Sequence, residues 1–166
     1  MNIFAFDKCP MQSAQWLDDI RKNKMILESA QMLSTAVRWL DPDTALPVYK
    51  LAYINHPCSK WARKSRSNFK WLLSHMSHLY LQKGGNHKSG RLIPDLDHYG
   101  STGYFPSEGL TPFANCARNL ERGVDYSDVD DVHQAYRMYM NDRWKENNIT
   151  LTWRWGREPE WRNKHG

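Results

Sequence analysis

A row of ionisable and amide side chains follows one side of a helical segment near the start of the chain. The row consists of Arg21, Lys24, Glu28, Gln31 and Thr35. Its spacing of three, four, three and four residues places these side chains along one face of an α-helix. The other positions from Met25 to Ala36 are apolar nearly all round, which is typical of a buried helix. We therefore take the row as a candidate wall of an active-site cleft, with Arg21, Lys24, Glu28 and Gln31 as catalytic candidates.

The chemistry of this row depends on burial. In a cleft, burial would lower the pKa of Lys24 towards that of a neutral nucleophile and raise the pKa of Glu28 towards that of a general acid/base. The alternative is a solvated helix face, on which Lys24 and Glu28 form one surface ion pair worth about 0.3–0.5 kcal/mol. The sequence leaves both interpretations open.

A second group of residues is suited to a polyanion. The segment from Lys60 to Lys70 contains five basic residues and no acidic one, which indicates phosphate contacts or, alternatively, a solvated basic face. Near the carboxyl end, tryptophans alternate with arginine in a pattern that suits base stacking and cation–π contact. The nucleic-acid-binding candidates are Lys60, Trp61, Arg63, Lys64, Arg66, Asn68, Lys70, Arg137, Trp153, Arg154 and Trp155. Further pocket candidates are Asn55, His56 and Trp71.

Metal and cofactor signals are weak. His75 and His78 lie one helical turn apart and His87 follows, but no Asp, Glu or Cys stands at a matching zinc spacing. The three cysteines include no C-x-x-C pair, so we expect reduced thiols rather than a disulfide framework or a zinc ribbon. Dinucleotide, Walker, nucleophile-elbow and H-E-x-x-H motifs do not occur. The sequence therefore predicts neither a metal nor a cofactor.

Composition and charge bound the remaining possibilities. The chain has 166 residues, of which 40% are hydrophobic and 25% charged, as expected of one globular domain over 1–166. Residues 1–90 contain 13 Lys or Arg against 6 Asp or Glu, a formal charge of +7, whereas residues 91–166 have a formal charge of −2. A basic half favours a polyanionic partner. No apolar run approaches the roughly 20 residues of a membrane span, so we expect no membrane association.

Helical patterns dominate the chain. We predict one helix from Ser13 to about Leu40, ended by Asp41-Pro42-Asp43, and another from Asn55 to Lys83, stopped by Gly84-Gly85. Residues 84–124 show no periodicity and are predicted to be irregular. A last helix is expected from Asp125 or Ser127 to about Lys145, followed by an aromatic tail over 149–161. The predicted fold class is mainly α, a single compact helical domain.

Several blocks of sequence resemble a family of small, mostly uncharacterised bacteriophage proteins. They are Met1-Asn2-Ile3-Phe4, the segment Lys24 to Ala36, Asn55-His56-Pro57-Cys58, Thr111-Pro112-Phe113, Ala135-Tyr136-Arg137 and Pro159-Glu160-Trp161. The resemblance spans nearly the whole chain. It implies a phage protein that works in the cytoplasm of an infected bacterial host.

The His56-Pro57 turn, the helix after it and Gly85-Asn86-His87-Lys88-Ser89 also look like the middle section of phage-type pyrimidine-dimer DNA glycosylases, the endonuclease V-like enzymes. That resemblance implies an all-helical enzyme in which an amine attacks the deoxyribose C1′ and a carboxylate assists, on a base flipped from the duplex. The amine of that family is exposed by removal of Met before a small residue, and Asn2 departs from this pattern. Lys24 is then the candidate replacement nucleophile and Glu28 the candidate carboxylate.

Four hypotheses follow from the sequence, and the weakest is a metal site on the histidines His75, His78 and His87. The first is a DNA glycosylase or lyase acting on a pyrimidine, with double-stranded DNA as partner. The second is a transferase that adds a group, such as an amino acid, to a modified thymine-type base. The third is a non-catalytic DNA-binding or host-interaction protein. The sequence does not determine the oligomeric state.

Overall fold

The computed structural model describes residues 1–146 and 150–163 and is mainly α-helical, which confirms the predicted fold class. The helices are α1 (Pro10–Gln15), α2 (Asp19–Leu40), α3 (Pro57–Lys64), α4 (Arg66–Gln82), α5 (Ile93–Thr102) and α6 (Val132–Lys145). Two 3-10 turns cover Lys88–Leu92 and Leu120–Arg122. Strands β1 (Arg118–Asn119) and β2 (Val124–Asp125) form an antiparallel ribbon in which Arg118 pairs with Asp125.

Helix α2 is the central element of the core. It packs against α3, α4 and α5, while α1 packs against α4. Half of its 22 residues are buried, including the fully covered side chains of Ile26 and Leu33. This confirms that a helix apolar nearly all round is buried. It also makes α2 a rigid support for the polar residues that remain at its surface.

The predicted first helix is wrong at its start, because the chain breaks between α1 and α2. Ser13 does not cap a helix: its hydroxyl donates to the carbonyl of Phe4 at 2.8 Å and accepts the amide of Phe6 at 3.0 Å. The cap of α2 is Asp18, which has extended backbone angles and accepts the amide of Arg21 at 3.3 Å. A buried carboxylate therefore starts the helix that carries the polar row.

The predicted second helix is likewise two helices. Ser65 is extended, with φ −149° and ψ 158°, and its hydroxyl accepts the amide of Asn68 at 3.1 Å to cap α4. The amides of Arg66 and Ser67 instead bond the carbonyls of Ser107 and Glu108. A loop distant in sequence thus satisfies the first turn of α4, and residue spacing could not reveal that interruption.

Two helix ends agree with the sequence. Helix α2 ends at Leu40, immediately before Asp41-Pro42-Asp43. Helix α4 ends at Gln82, and Gly84 and Gly85 follow with φ of 66° and 70°. This left-handed region is open to glycine at little cost, which explains the stop.

Residues 84–124 are not wholly irregular, contrary to the prediction. The segment contains the 3-10 turn Lys88–Leu92, helix α5 and the ribbon's first strand. Pro94 lies in the first turn of α5, a position where proline costs no hydrogen bond, and Gly100 lies against the ring of Phe69. The apolar period of α5 is short, and its glycine and proline obscured it.

The last helix and the tail complete the fold. Helix α6 begins at Val132, later than predicted, because Asp131 accepts the amides of His133 and Gln134. The described tail, 150–163, is irregular and packs on the helices through contacts such as the hydrogen bond from the Trp153 indole to the carbonyl of Trp16 at 2.9 Å. Ile149, predicted to open the tail, lies outside the described residues.

None of the helices in the described parts of the chain has both the length and the apolar character needed to cross a membrane.

Candidate functional site

A cavity of about 680 Å³ lies between α2, α6, the start of α3 and the segment around the ribbon. Its size is typical of a pocket for a small molecule or a single nucleotide. The polar residues lining it are Asn2, Arg21, Lys24, Glu28, His56, Asn115, Cys116, Arg118, Asn119, Ser127, Tyr139 and Arg143. The structure thus brings together three of the four catalytic candidates, Arg21, Lys24 and Glu28, with one pocket candidate, His56.

Arg21 is fixed at the base of this cavity by a buried partner. Its Nη1 lies 2.8 Å from Oδ2 of Asp18, whose side chain is fully covered. The same Oδ2 accepts the indole N–H of Trp144 at 2.8 Å. Because α2 supplies Asp18 and α6 supplies Trp144, this contact ties two walls of the cavity together. Arg21 therefore keeps one orientation, which a group that positions a substrate needs.

Lys24 and Glu28 differ sharply in exposure. Their Nζ and Oε1 atoms are 3.8 Å apart, but the Lys24 side chain is 78% exposed and the Glu28 side chain only 13%. Water surrounds most of the Lys24 side chain, so it lacks the buried surroundings that the nucleophilic role was expected to need. Protein atoms cover most of the Glu28 side chain at the cavity wall. Of the two roles expected for this pair, the general acid/base role of Glu28 fits its position better than the nucleophilic role fits Lys24.

The other end of the polar row points elsewhere. Gln31 lines a separate cavity of about 300 Å³, together with Tyr49 and Ser89. Thr35 is buried, and its hydroxyl both donates to the carbonyl of Ala52 and accepts its amide, each at 3.0 Å. The prediction that Gln31 shares one wall with Glu28 is therefore wrong. The last two residues of the row, Gln31 and Thr35, face the segment from Tyr49 to Ala52.

Arg118 and Arg143 line the cavity, and the sequence analysis missed both. Arg118 is exposed on β1, and Arg143 is on the last turns of α6, where burial lowers its pKa. Neither residue lies in a recognisable motif. The nearest signal was Arg137, a predicted nucleic-acid-binding residue six positions earlier on the same helix. With Arg21 and Lys24 they make four cationic side chains around Glu28, the one carboxylate that the described cavity wall contains.

His56 and two cysteines form a cluster at the cavity's edge. The imidazole caps α3 by accepting the amide of Cys58 at Nδ1, at 3.1 Å. Burial, aided by the positive charges of the Met1 amino group and Arg118, lowers the pKa of His56, which favours the neutral imidazole. The Cys58 thiol donates to the Cys116 sulfur at 3.2 Å. This bond lowers the pKa of Cys116 and, together with burial, raises that of Cys58.

The segment from Lys60 to Lys70 does not form one basic surface. Lys60, Lys64 and Lys70 are exposed. Arg63 is buried, donates to the carbonyl of Ile54 at 2.7 Å and lies over the ring of Trp39. Arg66 donates to the carbonyls of Gly100 and Gly103 and pairs with Glu108. Both arginines of the segment thus bond backbone carbonyls, whereas the three exposed lysines are accessible to phosphate.

Two candidates from the same segment are in the core. Trp61 is 4% exposed and stacks on Phe113, and Asn68 is fully buried. The Asn68 amide donates to the carbonyl of Trp61 and to the hydroxyl of Thr111. Their expected contact with nucleic acid is incompatible with this burial. They hold the loop at 111–113 against α3 and α4 instead.

Some of the remaining nucleic-acid-binding and pocket candidates are packed in the fold, and the others are exposed. Arg137 donates to the carbonyl of Phe6 and lies over the Trp161 ring, and the Trp71 indole donates to the carbonyl of Lys8. Trp153 stacks edge-on against Trp144. These three therefore have structural roles. Asn55, Arg154 and Trp155 are exposed, and Trp155 is accessible enough, at 73%, for stacking.

The three histidines considered as metal ligands, His75, His78 and His87, lie in different surroundings. His75 is fully buried, whereas His87 caps the 3-10 turn that follows it by accepting the amide of Ser89 at 3.0 Å. His78 lines a small surface cavity beside Trp155. These positions give no common ligand sphere. The cluster of His56, Cys58 and Cys116 is the one in the described residues whose potential ligand atoms come within 4.8 Å of one another.

No protein-family model, no curated protein and no solved structure matches this chain.

Proposed function

We propose that this protein is a phage DNA-directed enzyme that acts on a pyrimidine base or on its glycosidic bond, in the cytoplasm of an infected bacterium. The observation that carries the proposal is that four cationic side chains and one largely buried carboxylate line the same nucleotide-sized cavity. A flipped nucleotide presents negative phosphates on one side and an uncharged base on the other. The cavity offers a partner for each.

The cations supply phosphate recognition. Arg21 is held by Asp18 at 2.8 Å, and Arg118 of β1 lines the same cavity. Arginine forms bidentate hydrogen bonds with phosphate oxygens, so these two residues would fix the nucleotide's backbone. Lys24, exposed at the mouth, adds attraction for the duplex. The exposed lysines Lys60, Lys64 and Lys70 extend the basic character of the amino-terminal half.

Glu28 supplies the proton transfer. Its side chain is 13% exposed, so a bound base would exclude the remaining water from the carboxylate. For glycosidic cleavage, a water molecule would form a bond to C1′, the glycosidic bond would break with the base as leaving group, and Glu28 would accept the water's proton or stabilise the positive charge that develops on the sugar. In this role Lys24 is an electrostatic neighbour rather than the attacking group, since the lysine is largely solvated.

A transferase is the second candidate, and the cavity's volume favours it. About 680 Å³ exceeds what a single flipped base fills, and it leaves room for an amino acid beside a base whose hydroxymethyl group is activated. In that case the amine nitrogen would form a bond to the methylene carbon, the activated oxygen would leave that carbon, and Glu28 would accept the proton that the amine loses. Both candidates share the same carboxylate and differ in the product.

Nucleoside mass spectrometry separates the candidates. The purified full chain is incubated with duplex DNA containing damaged pyrimidines or activated (phosphorylated) hydroxymethyl-pyrimidines, with and without an amino-acid donor. Release of a free base supports excision, and a heavier nucleoside supports transfer. Borohydride added during excision tests for a covalent amine adduct, and Lys24→Ala shows whether Lys24 forms it. If the protein binds these duplexes and leaves every nucleoside unchanged, the enzymatic proposal fails and the DNA-binding hypothesis remains.

A further inference from the structure

The cluster of His56, Cys58 and Cys116 has no part in the chemistry proposed above. Its potential ligand atoms lie within 4.8 Å of one another, although Cys58 and Cys116 are 58 positions apart in sequence. Both cysteines are free, and their sulfurs are 3.2 Å apart, well beyond the roughly 2.05 Å of a disulfide. Folding has thus placed two thiols and an imidazole around one point.

We propose that His56, Cys58 and Cys116 form a binding site for one thiophilic divalent metal ion of the Zn²⁺ class, with an open coordination position towards the 680 Å³ cavity. Two sulfurs and one imidazole nitrogen are ligands that Zn²⁺ prefers, and three protein ligands with one open position are typical of reactive zinc sites. The inference does not rest on the proposed DNA chemistry, because ion binding is measurable without DNA.

The distances fit such an ion. Tetrahedral Zn²⁺ with Zn–S bonds of about 2.3 Å separates two sulfurs by about 3.8 Å. The present separation of 3.2 Å is smaller, so the ion would move the thiols apart only slightly. Binding forms two metal–sulfur bonds and breaks two S–H bonds, and the two protons pass to solvent. The imidazole contributes the lone pair of one ring nitrogen.

Hydrogen bonds to its backbone hold Cys116 in place, as the residues around a metal ligand commonly do. The Tyr136 hydroxyl accepts the amide of Cys116 at 3.1 Å and donates to the carbonyl of Ala114 at 2.6 Å. The Asn2 side chain donates to the carbonyl of Cys116 at 3.1 Å. Tyr136 is fully buried, so this support does not depend on mobile surface groups. Cys116 is therefore fixed on both sides before any ion arrives.

The location of the three residues determines which side of the ion would be open. Cys58 is buried on α3, behind the other two residues, whereas His56 and Cys116 line the cavity wall. Protein atoms cover the Cys58 side, and the cavity is the accessible side. One competing contact exists: Nδ1 of His56 already accepts the Cys58 amide, so the helix cap and an ion compete for that lone pair.

Thiol protection in the unaltered protein tests the site. The full chain is reduced, freed of metal with a chelator, and alkylated with and without Zn²⁺, and each cysteine's modification is followed by mass spectrometry. We expect Zn²⁺ to slow alkylation of the partly exposed Cys116 at least tenfold, while the exposed Cys9 reacts at an unchanged rate. Equal rates with and without Zn²⁺, or protection of all three cysteines alike, would overturn the proposal.

Co²⁺ titration gives a second, spectroscopic measurement. One Co²⁺ per chain should produce thiolate-to-cobalt absorption and the visible bands of tetrahedral Co²⁺, both lost on adding Zn²⁺. Cys116→Ser and His56→Asn should weaken binding at least tenfold, and asparagine retains a capping oxygen for α3. Cys9→Ser is the matched control and should bind normally. Circular dichroism establishes that each variant is folded. Unchanged binding in folded Cys116→Ser, or a Cys58–Cys116 disulfide in place of a complex, would refute the site.

Discussion

The indole N–H of Trp144 donates to the carboxylate of Asp18 across 126 positions of sequence, at 2.8 Å. The same oxygen receives the Arg21 guanidinium, and the carboxylate also caps α2. One buried charge therefore starts the helix, orients a cation of the cavity and attaches α6. The site's geometry and the fold's stability depend on the same group.

Asp18→Asn should destabilise the protein by about 3 kcal/mol, because it leaves Arg21 without its anion and turns an amide donor towards other donors. Urea denaturation measures this loss. Trp144→Phe keeps the Asp18–Arg21 ion pair but removes the indole hydrogen bond and part of a buried ring that contacts Trp153 and Trp161, and should cost about 2 kcal/mol. If Asp18→Asn costs no more than Trp144→Phe, the ion pair with Arg21 contributes nothing to stability.

The sequence predicted part of this arrangement. The period of three and four residues placed Arg21, Lys24 and Glu28 on one face, because that spacing is a local property of a helix. It could not show that Gln31 faces a different cavity, since this depends on which loop covers each turn of α2. The spacing of the row extends back to Asp18, three residues before Arg21, but the attachment of this carboxylate to α6 could not be predicted because Trp144 is distant in sequence.

The basic segment shows a similar limit. Composition alone identified Lys60 to Lys70 as cationic, but Arg63 and Arg66 use their charge on backbone carbonyls. Long arginine side chains reach several residues away, and a sequence does not say what they meet. The pairing of Cys58 with Cys116 was equally inaccessible, because no local motif joins two residues brought together by a loop.

Glu28→Gln should reduce the chemical step about 10²–10⁴-fold and leave DNA affinity nearly unchanged, because the amide keeps the shape of the carboxylate but cannot accept a proton. Single-turnover assays with mass spectrometry of the nucleosides measure the step. Glu160→Gln, at an exposed site outside the cavity, is the matched control and should retain full activity. Equal activity in both variants would remove Glu28 from the mechanism.

Arg118→Gln should weaken binding of duplex DNA and lower the slope of log K against log salt by about one unit, because one phosphate contact is lost. Filter binding or fluorescence anisotropy at several salt concentrations gives the slope. Lys83→Gln, at the carboxyl end of α4, removes a charge outside this cavity and controls for net charge. An equal change in both variants would mean that Arg118 acts only through the overall charge.

Asp19 links the tail to α2, and it should make the free energy of unfolding depend on pH in the acid range. Its burial opposes ionisation, but hydrogen bonds from Lys22, Thr152 and the Arg154 amide outweigh that effect and lower its pKa. A lowered pKa in the folded state means that its stabilisation is present above about pH 4, the value for an unfolded chain, and is lost as pH falls further.

Asp19→Asn should therefore flatten the decline of unfolding free energy below about pH 4. Denaturation with urea at a series of acid pH values measures it. Asp97→Asn, at an exposed position of α5, should leave the decline as it is in the unaltered protein. A decline that persists in Asp19→Asn would assign it to other carboxylates.

His75 gives the fold a second dependence on pH, at milder acidity. Burial, with a smaller effect of the His78 charge, lowers its pKa to about 3, and neither ring nitrogen has a hydrogen-bond partner in the described residues. An unfolded chain takes up this proton below about pH 6.5, while the folded chain does not. Stability is therefore complete above about pH 6.5 and falls by up to about 1.4 kcal/mol per pH unit below it.

His75→Phe should remove this component, and the gain in stability should grow as pH falls below about 6.5 towards the folded-state pKa of about 3. The ring lies 5.3 Å from that of Trp71 and within 10° of parallel, so phenylalanine can keep the stacking while it removes two unpaired nitrogens from the core. Urea denaturation from about pH 7 to about pH 5 compares it with His98→Gln, which removes an exposed histidine. Parallel pH profiles for His75→Phe and the unaltered protein would mean that His75 gains a proton without unfolding, and that the core opens to water at this point.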